Sequence, residues 1–178
     1  MLSGPFLSNY VLLLSVHHLH FTPYLPRCAR STERVYHLSV VYGGHGISSL
    51  AFASGKGYLK TVNFLVTRRG ADVHAGGDKA LMWASRKGHL EVVKFLVSRG
   101  ANVRAASDDG ALIYASEDGH LDMVKYLVSQ GANVHAKYGE ALRRASKNGH
   151  SVVFKFLSQV MRNDGADIQT TLRFKYKS

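Results

Sequence analysis

Cysteine is almost absent from this chain: Cys28 is the only one among 178 residues. A lone thiol closes no internal disulfide and builds no cysteine zinc site, and it points to a reducing compartment such as the cytoplasm. Proline is nearly as scarce. All three prolines, Pro5, Pro23 and Pro26, fall within the first 46 residues and set that stretch apart in composition. Long apolar runs are missing as well; the longest near the start is Tyr10-Val11-Leu12-Leu13-Leu14, far short of the ~20 residues of a membrane span. Residues 6–16 are apolar, but no Lys or Arg precedes them and no small-residue cleavage site follows, so they do not read as a secretory signal. Catalytic signatures are wanting too. The chain has no phosphate-cradling glycine loop with a following lysine, no His-Glu-x-x-His and no Gly-x-Ser-x-Gly, and it reads as a non-enzyme.

Carboxylates are outnumbered: 12 Asp and Glu stand against 23 Lys and Arg, a formal charge of +11. That excess favours an acidic partner, whether nucleic acid, anionic membrane or acidic protein, without choosing among them. Apolar residues at 46% with 20% charged exclude wholesale disorder, because such a chain buries a core. The length fits one domain of about 100–200 residues.

Residues 1–46 carry no assignable fold. Within them, residues 31–42 read as a short helix ending at Gly43-Gly44 or, by their alternation, as a strand. Gly43-Gly44-His45-Gly46 lacks the flanking strand and lysine of a phosphate loop and reads as a linker.

From residue 47 onward the chain repeats itself. Gly57, Gly88, Gly119 and Gly149 recur at spacings of 31, 31 and 30, each followed by a ring: Tyr58, His89, His120 and His150. A second marker runs in step, Gly70-Ala71-Asp72-Val73, Gly100-Ala101-Asn102-Val103, Gly131-Ala132-Asn133-Val134 and Gly165-Ala166-Asp167-Ile168. A fixed period of this length signifies a stacked array. Each unit predicts two helices stopped by glycine, as in residues 80–87 before Gly88 and residues 90–99 before Gly100. The second helix is apolar on most of its circumference (Leu90, Val92, Val93, Phe95, Leu96 and Val97), leaving Glu91, Lys94 and Ser98 for water. A helix of that kind needs neighbours on several sides, and stacked repeats supply them.

The recurring pattern A-L-x-x-A-S-x-x-G-H-L-x-x-V-K-x-L-V-S-x-G-A-N-V-x-A resembles the ankyrin repeat, and within that family the proteins of giant DNA viruses. The resemblance implies an all-α solenoid of stacked helix-turn-helix repeats over residues 47–178, with about four repeats, the last irregular, and a truncated fifth starting near Leu172-Arg173-Phe174. A basic extended tail is the other reading of residues 172–177. Two departures stand out. The usual T-P-L-H opening is replaced by Lys79-Ala80-Leu81-Met82 and its counterparts, and the shorter period removes residues between Val-x-Ala and the first helix. The projecting β-hairpin fingers are therefore expected to be shortened. Terminal repeats need covering, and residues 31–46 are the expected N-terminal cap.

Histidine is abundant, with ten residues. His89, His120 and His150 share one repeat position, about 10 Å apart when stacked, which is too far for a shared zinc ion. Turn chemistry, with the imidazole bridging backbone groups between helices, explains a repeated histidine better than catalysis does, and His74 and His135 are read the same way. His17, His18 and His20 have no carboxylate or thiol at ligand spacing. No metal and no cofactor are expected.

In ankyrin proteins the residue two after the first-helix leucine and the pair before Gly-His face the concave surface. Carried over, the resemblance implies Phe52, Gly55 and Lys56; Trp83, Arg86 and Lys87; Tyr114, Glu117 and Asp118; and Arg144, Lys147 and Asn148. Aromatic rings and arginine are enriched at binding hot spots. Two readings stay open for the rings: contact with a partner, or packing against the neighbouring first helix. The mixed sign along this row disfavours a nucleic-acid track. The expected function is a non-catalytic protein-interaction module, acting as a monomer in the cytoplasm (host cytosol for a viral source), on a protein partner not identified by sequence. The alternative is a basic-surface binder of nucleic acid or another polyanion, through Arg173, Lys175 and Lys177.

Overall fold

The computed structural model describes residues 49–104 and 110–165, all within the compact unit Val35–Ser178. Eight helices occur among the described residues: α1 Ser49–Gly55, α2 Leu59–Arg69, α3 Ala75–Arg86, α4 Leu90–Ser98, α5 Gly110–Glu117, α6 Leu121–Ser129, α7 Ala136–Lys147 and α8 Ser151–Asn163. They form four hairpins, with α1, α3, α5 and α7 packed in order as one layer. In the second layer α2 packs on α4 and α6 on α8. The expected all-α solenoid is what forms. α8 is extended as its sequence predicts. Expectations for residues 1–46, the cap at 31–46 included, and for the tail at 172–177 lie outside the described residues.

Small side chains explain how closely the first helices approach. Ala53, Ala84, Ala115 and Ala145 occupy one repeat position and are each 0% exposed. Helix separation follows the size of the side chains at the contact, so alanine here lets the layer close. Between the layers lie the column Leu50, Leu81, Leu112 and Leu142 and the column Leu65, Leu96, Leu127 and Leu157, all buried. Phe95, Val97 and Leu90 of the near-cylindrical apolar helix α4 are partly buried against this core.

Both glycine markers end helices. After the first helices, the amides of His89, His120 and His150 reach back to Ala84, Ala115 and Ala145 carbonyls at 3.0, 2.9 and 2.9 Å. After the second helices, the amides of Ala101 and Ala132 reach Leu96 and Leu127, each at 3.0 Å. This six-to-one bond needs a left-handed residue just before it, and Gly88 (φ 73°) and Gly100 (φ 94°) are examples. The Asp or Asn of the second marker then turns the chain. Asp72, Asn102 and Asn133 side-chain oxygens accept the amides of His74, Arg104 and His135 at 2.9, 2.9 and 3.0 Å, the local bond that makes these residues turn formers.

The finger is reduced further than a short hairpin. In two links the chain passes through three left-handed residues, Gly76-Gly77-Asp78 and Lys137-Tyr138-Gly139, and no strand occurs among the described residues. Left-handed geometry costs a non-glycine residue about 1–2 kcal/mol, so each link is secured by side chains. Arg143 donates to the carbonyls of Tyr138 at 2.8 Å and Lys137 at 3.2 Å. Buried Asp78 accepts the Asn102 amide at 3.1 Å and faces His74 Nδ1 at 3.2 Å.

Candidate functional site

The histidine corners join the repeats. His89, His120 and His150 each donate from Nε2 to a carbonyl of the preceding repeat, Gly55 at 3.2 Å, Arg86 at 3.0 Å and Glu117 at 2.8 Å. Each ring lies flat against a glycine of that repeat: a β-carbon on Gly57, Gly88 or Gly119 would sit 2.6, 2.8 or 2.5 Å from it. The imidazoles thus serve as bridges between repeats. His74 and His135 differ, since both face carboxylates, Asp78 and Asp164, each at 3.2 Å.

On the first-helix face the residues singled out by sequence form one connected ladder. Phe52, Trp83, Tyr114 and Arg144 stand at the same repeat position, all half-buried. Trp83 packs over Gly55, whose added β-carbon would meet Trp83 Cβ at 3.3 Å. The Arg86 guanidinium lies between two rings, 6.0 Å from the centre of Trp83 and 5.2 Å from that of Tyr114. Arg144 covers Tyr114 from the next repeat at 5.6 Å. Lys56 sits over Phe52 at 5.9 Å. Partly desolvated contacts of this kind contribute roughly 0.5–2 kcal/mol each. Trp83 and Tyr114 thus pack against neighbouring side chains, the second of the two readings, and keep part of their surface open.

Carboxylates lock the arginines. Arg144 pairs with Glu117 of the preceding repeat and, at 2.8 Å, with Glu140 on its own helix. Arg86 Nε lies 3.8 Å from Asp118, an ion pair beyond hydrogen-bond reach. The Asn148 amide donates to the Glu117 carbonyl at 2.8 Å. The carboxylates of the third repeat, Glu117 and Asp118, are thus engaged by Arg144 and Arg86, while Lys87 and Lys147, like Lys56, are exposed.

Sequence reasoning missed Glu140, which holds both Arg143 and Arg144. Its spacing of four from Arg144 was the available signal. Burial alone would raise the Glu140 pKa, but hydrogen bonds from Arg144 and Arg143 outweigh it and hold the carboxyl below its ordinary range. A depressed carboxylate stabilises the fold above its unfolded-state pKa and loses that contribution as pH falls through the folded-state value. Urea unfolding midpoints are therefore expected to separate the parent from E140Q at neutral pH. The two converge as pH drops below the ordinary carboxylate range; a separation independent of pH would disprove the assignment.

No cluster of three metal-ligating side chains occurs among the described residues. No helix there is long and apolar enough to cross a membrane. A family model described as Ankyrin repeats (3 copies) matches residues 29–107, 50–138 and 105–171. No curated protein matches the chain.

Proposed function

This chain belongs to the ankyrin repeat family, and from that premise we propose that it is a non-catalytic interaction module gripping a protein segment on its first-helix face. Repeats of this family generally mediate protein–protein interaction. The observation that carries the proposal is the ladder Trp83–Arg86–Tyr114–Arg144, in which cations and rings alternate across three repeats while keeping open surface. Its side chains are held in place before any partner arrives, so little ordering entropy is lost on binding. Lys56, Lys87 and Lys147 around the ladder favour a partner segment bearing carboxylates. The proposal carries with it a monomer in a reducing, cytoplasmic setting, residues 31–46 as the N-terminal cap, and kinship with viral ankyrin proteins. That the first family match begins at residue 29 supports the cap.

The test is affinity capture with mass spectrometry from the native cell, comparing the parent with W83A/Y114A/R144A. Hot-spot truncations cost 2 kcal/mol or more, roughly thirtyfold in affinity. A genuine partner is held by the parent and lost by the triple variant, with helical content unchanged by circular dichroism. Equal capture by both would remove the ladder from the binding surface.

A further inference from the structure

Charge is shared unequally between the two layers. The second helices α2, α4, α6 and α8 carry seven lysines and arginines against two carboxylates, Glu91 and Asp122. The first helices carry six against three, and those three, Asp78, Glu117 and Glu140, are all engaged internally. Glu91 and Asp122 are exposed on the second layer, but seven cations against two carboxylates leave it with the larger excess of positive charge.

One repeat position concentrates this charge. Lys94, Lys125 and Lys155 occupy equivalent places on α4, α6 and α8, and all three are exposed. Helices packed side by side lie about 8–10 Å apart, so the row presents one ammonium per repeat along the stack. Glu91 holds Lys94 at 2.9 Å and exposed Asp122 stands at the same spacing before Lys125, but exposed pairs of this kind contribute little to hold the lysine in place.

The row has the features of a backbone reader. Rings beside it are poor stacking platforms: Phe64 and Phe95 are covered by Arg69 at 5.5 Å and Arg99 at 5.1 Å, and Tyr126 and Phe156 pack against the core. Single strands without sequence preference are held by open aromatic platforms, which the described residues of these four helices do not offer. An anionic bilayer finds little to accept either. Leu59 and Val152 are the only exposed large apolar side chains on these four helices among the described residues. Duplex nucleic acid needs neither platform nor insertion. It offers one phosphate charge per about 1.7 Å of axis, far denser than the lysines, so the row needs no register and reads no bases.

We propose that the second-helix face binds the phosphate backbone of double-stranded nucleic acid without sequence preference, through Lys94, Lys125 and Lys155. This surface is separate from the first-helix ladder, and its test shares no residue with that of the ladder.

The probe is a fluorescein-labelled DNA duplex of mixed sequence, titrated by anisotropy over a series of salt concentrations. The parent is expected to bind, with affinity falling linearly in log–log form as salt rises. K94A/K125A/K155A is expected to flatten that slope by about 2.7, at 0.9 per lost phosphate contact, and to weaken binding roughly a hundredfold near physiological salt. K56A/K87A/K147A removes the same charge from the other face and is expected to stay within about threefold of the parent, as only the long-range field changes. Equal weakening by both variants would reduce the effect to net charge and overturn the assignment. So would parent binding that is absent at low salt, or binding to phosphatidylserine vesicles in place of the duplex.

Discussion

Gly119→Ala is expected to destabilise this array by about 2–4 kcal/mol, more than its surface position suggests. Two separate costs combine. Gly119 has φ 79°, a left-handed conformation that disfavours alanine by about 1–2 kcal/mol. The new β-carbon would also lie 2.5 Å from His150 Nδ1, so the imidazole must swing away and give up its 2.8 Å bond to the Glu117 carbonyl. Gly149→Ala separates the two terms. Gly149 has φ 76° with nothing within 4 Å of an added β-carbon, so it is expected to show the conformational cost alone. Equilibrium urea unfolding of both variants is the measurement, with G119A/H150A closing the cycle. Equal losses for Gly119→Ala and Gly149→Ala would mean that the histidine bridge contributes nothing across the repeat boundary.

The second large effect runs the other way. Ser54, Ser85 and Ser116 follow the close-packed alanines, are each 0% exposed, and their hydroxyls have no hydrogen-bond partner among the described residues. A buried hydroxyl without a partner forfeits its hydration, at about 1–3 kcal/mol, and serine is a poorer helix former than alanine. S54A/S85A/S116A is therefore expected to raise stability by about 3 kcal/mol, at roughly 1 kcal/mol per site. Ser158 is the internal control, because its Oγ donates to the Lys155 carbonyl at 2.9 Å; Ser158→Ala is expected to be neutral or destabilising. Thermal and urea midpoints compare the two. A triple variant less stable than the parent would mean that these hydroxyls are satisfied in solution.

These effects bear on function because the ladder is built on the same corners. Glu117 supplies its carbonyl to His150 and Asn148 and its carboxylate to Arg144. Loosening the His150 corner therefore disturbs the Tyr114–Arg144 stack as well as the boundary between repeats. The duplex-binding row on the second helices shares none of these contacts and is expected to tolerate the corner variants as long as the array stays folded.

The repeat, its two helices and their glycine stops were legible in the chain because they rest on local rules: period, apolar patterning and the left-handed tolerance of glycine. The histidine bridges were legible as a class, since repetition at a turn excludes catalysis, but not their acceptors. Those are carbonyls 33 or 34 residues away, and which one meets a ring depends on how adjacent repeats slide. The shortened finger followed from residue counting. That it collapses into three left-handed residues clamped by Arg143 or Asp78 required the fold, because the clamp forms only when the chain doubles back. Composition alone determined a cationic protein. Tertiary structure decided where that charge is spent, since Arg144 is paired across a repeat boundary with Glu117 while Lys94, Lys125 and Lys155 are lined up at one exposed position of the second helices.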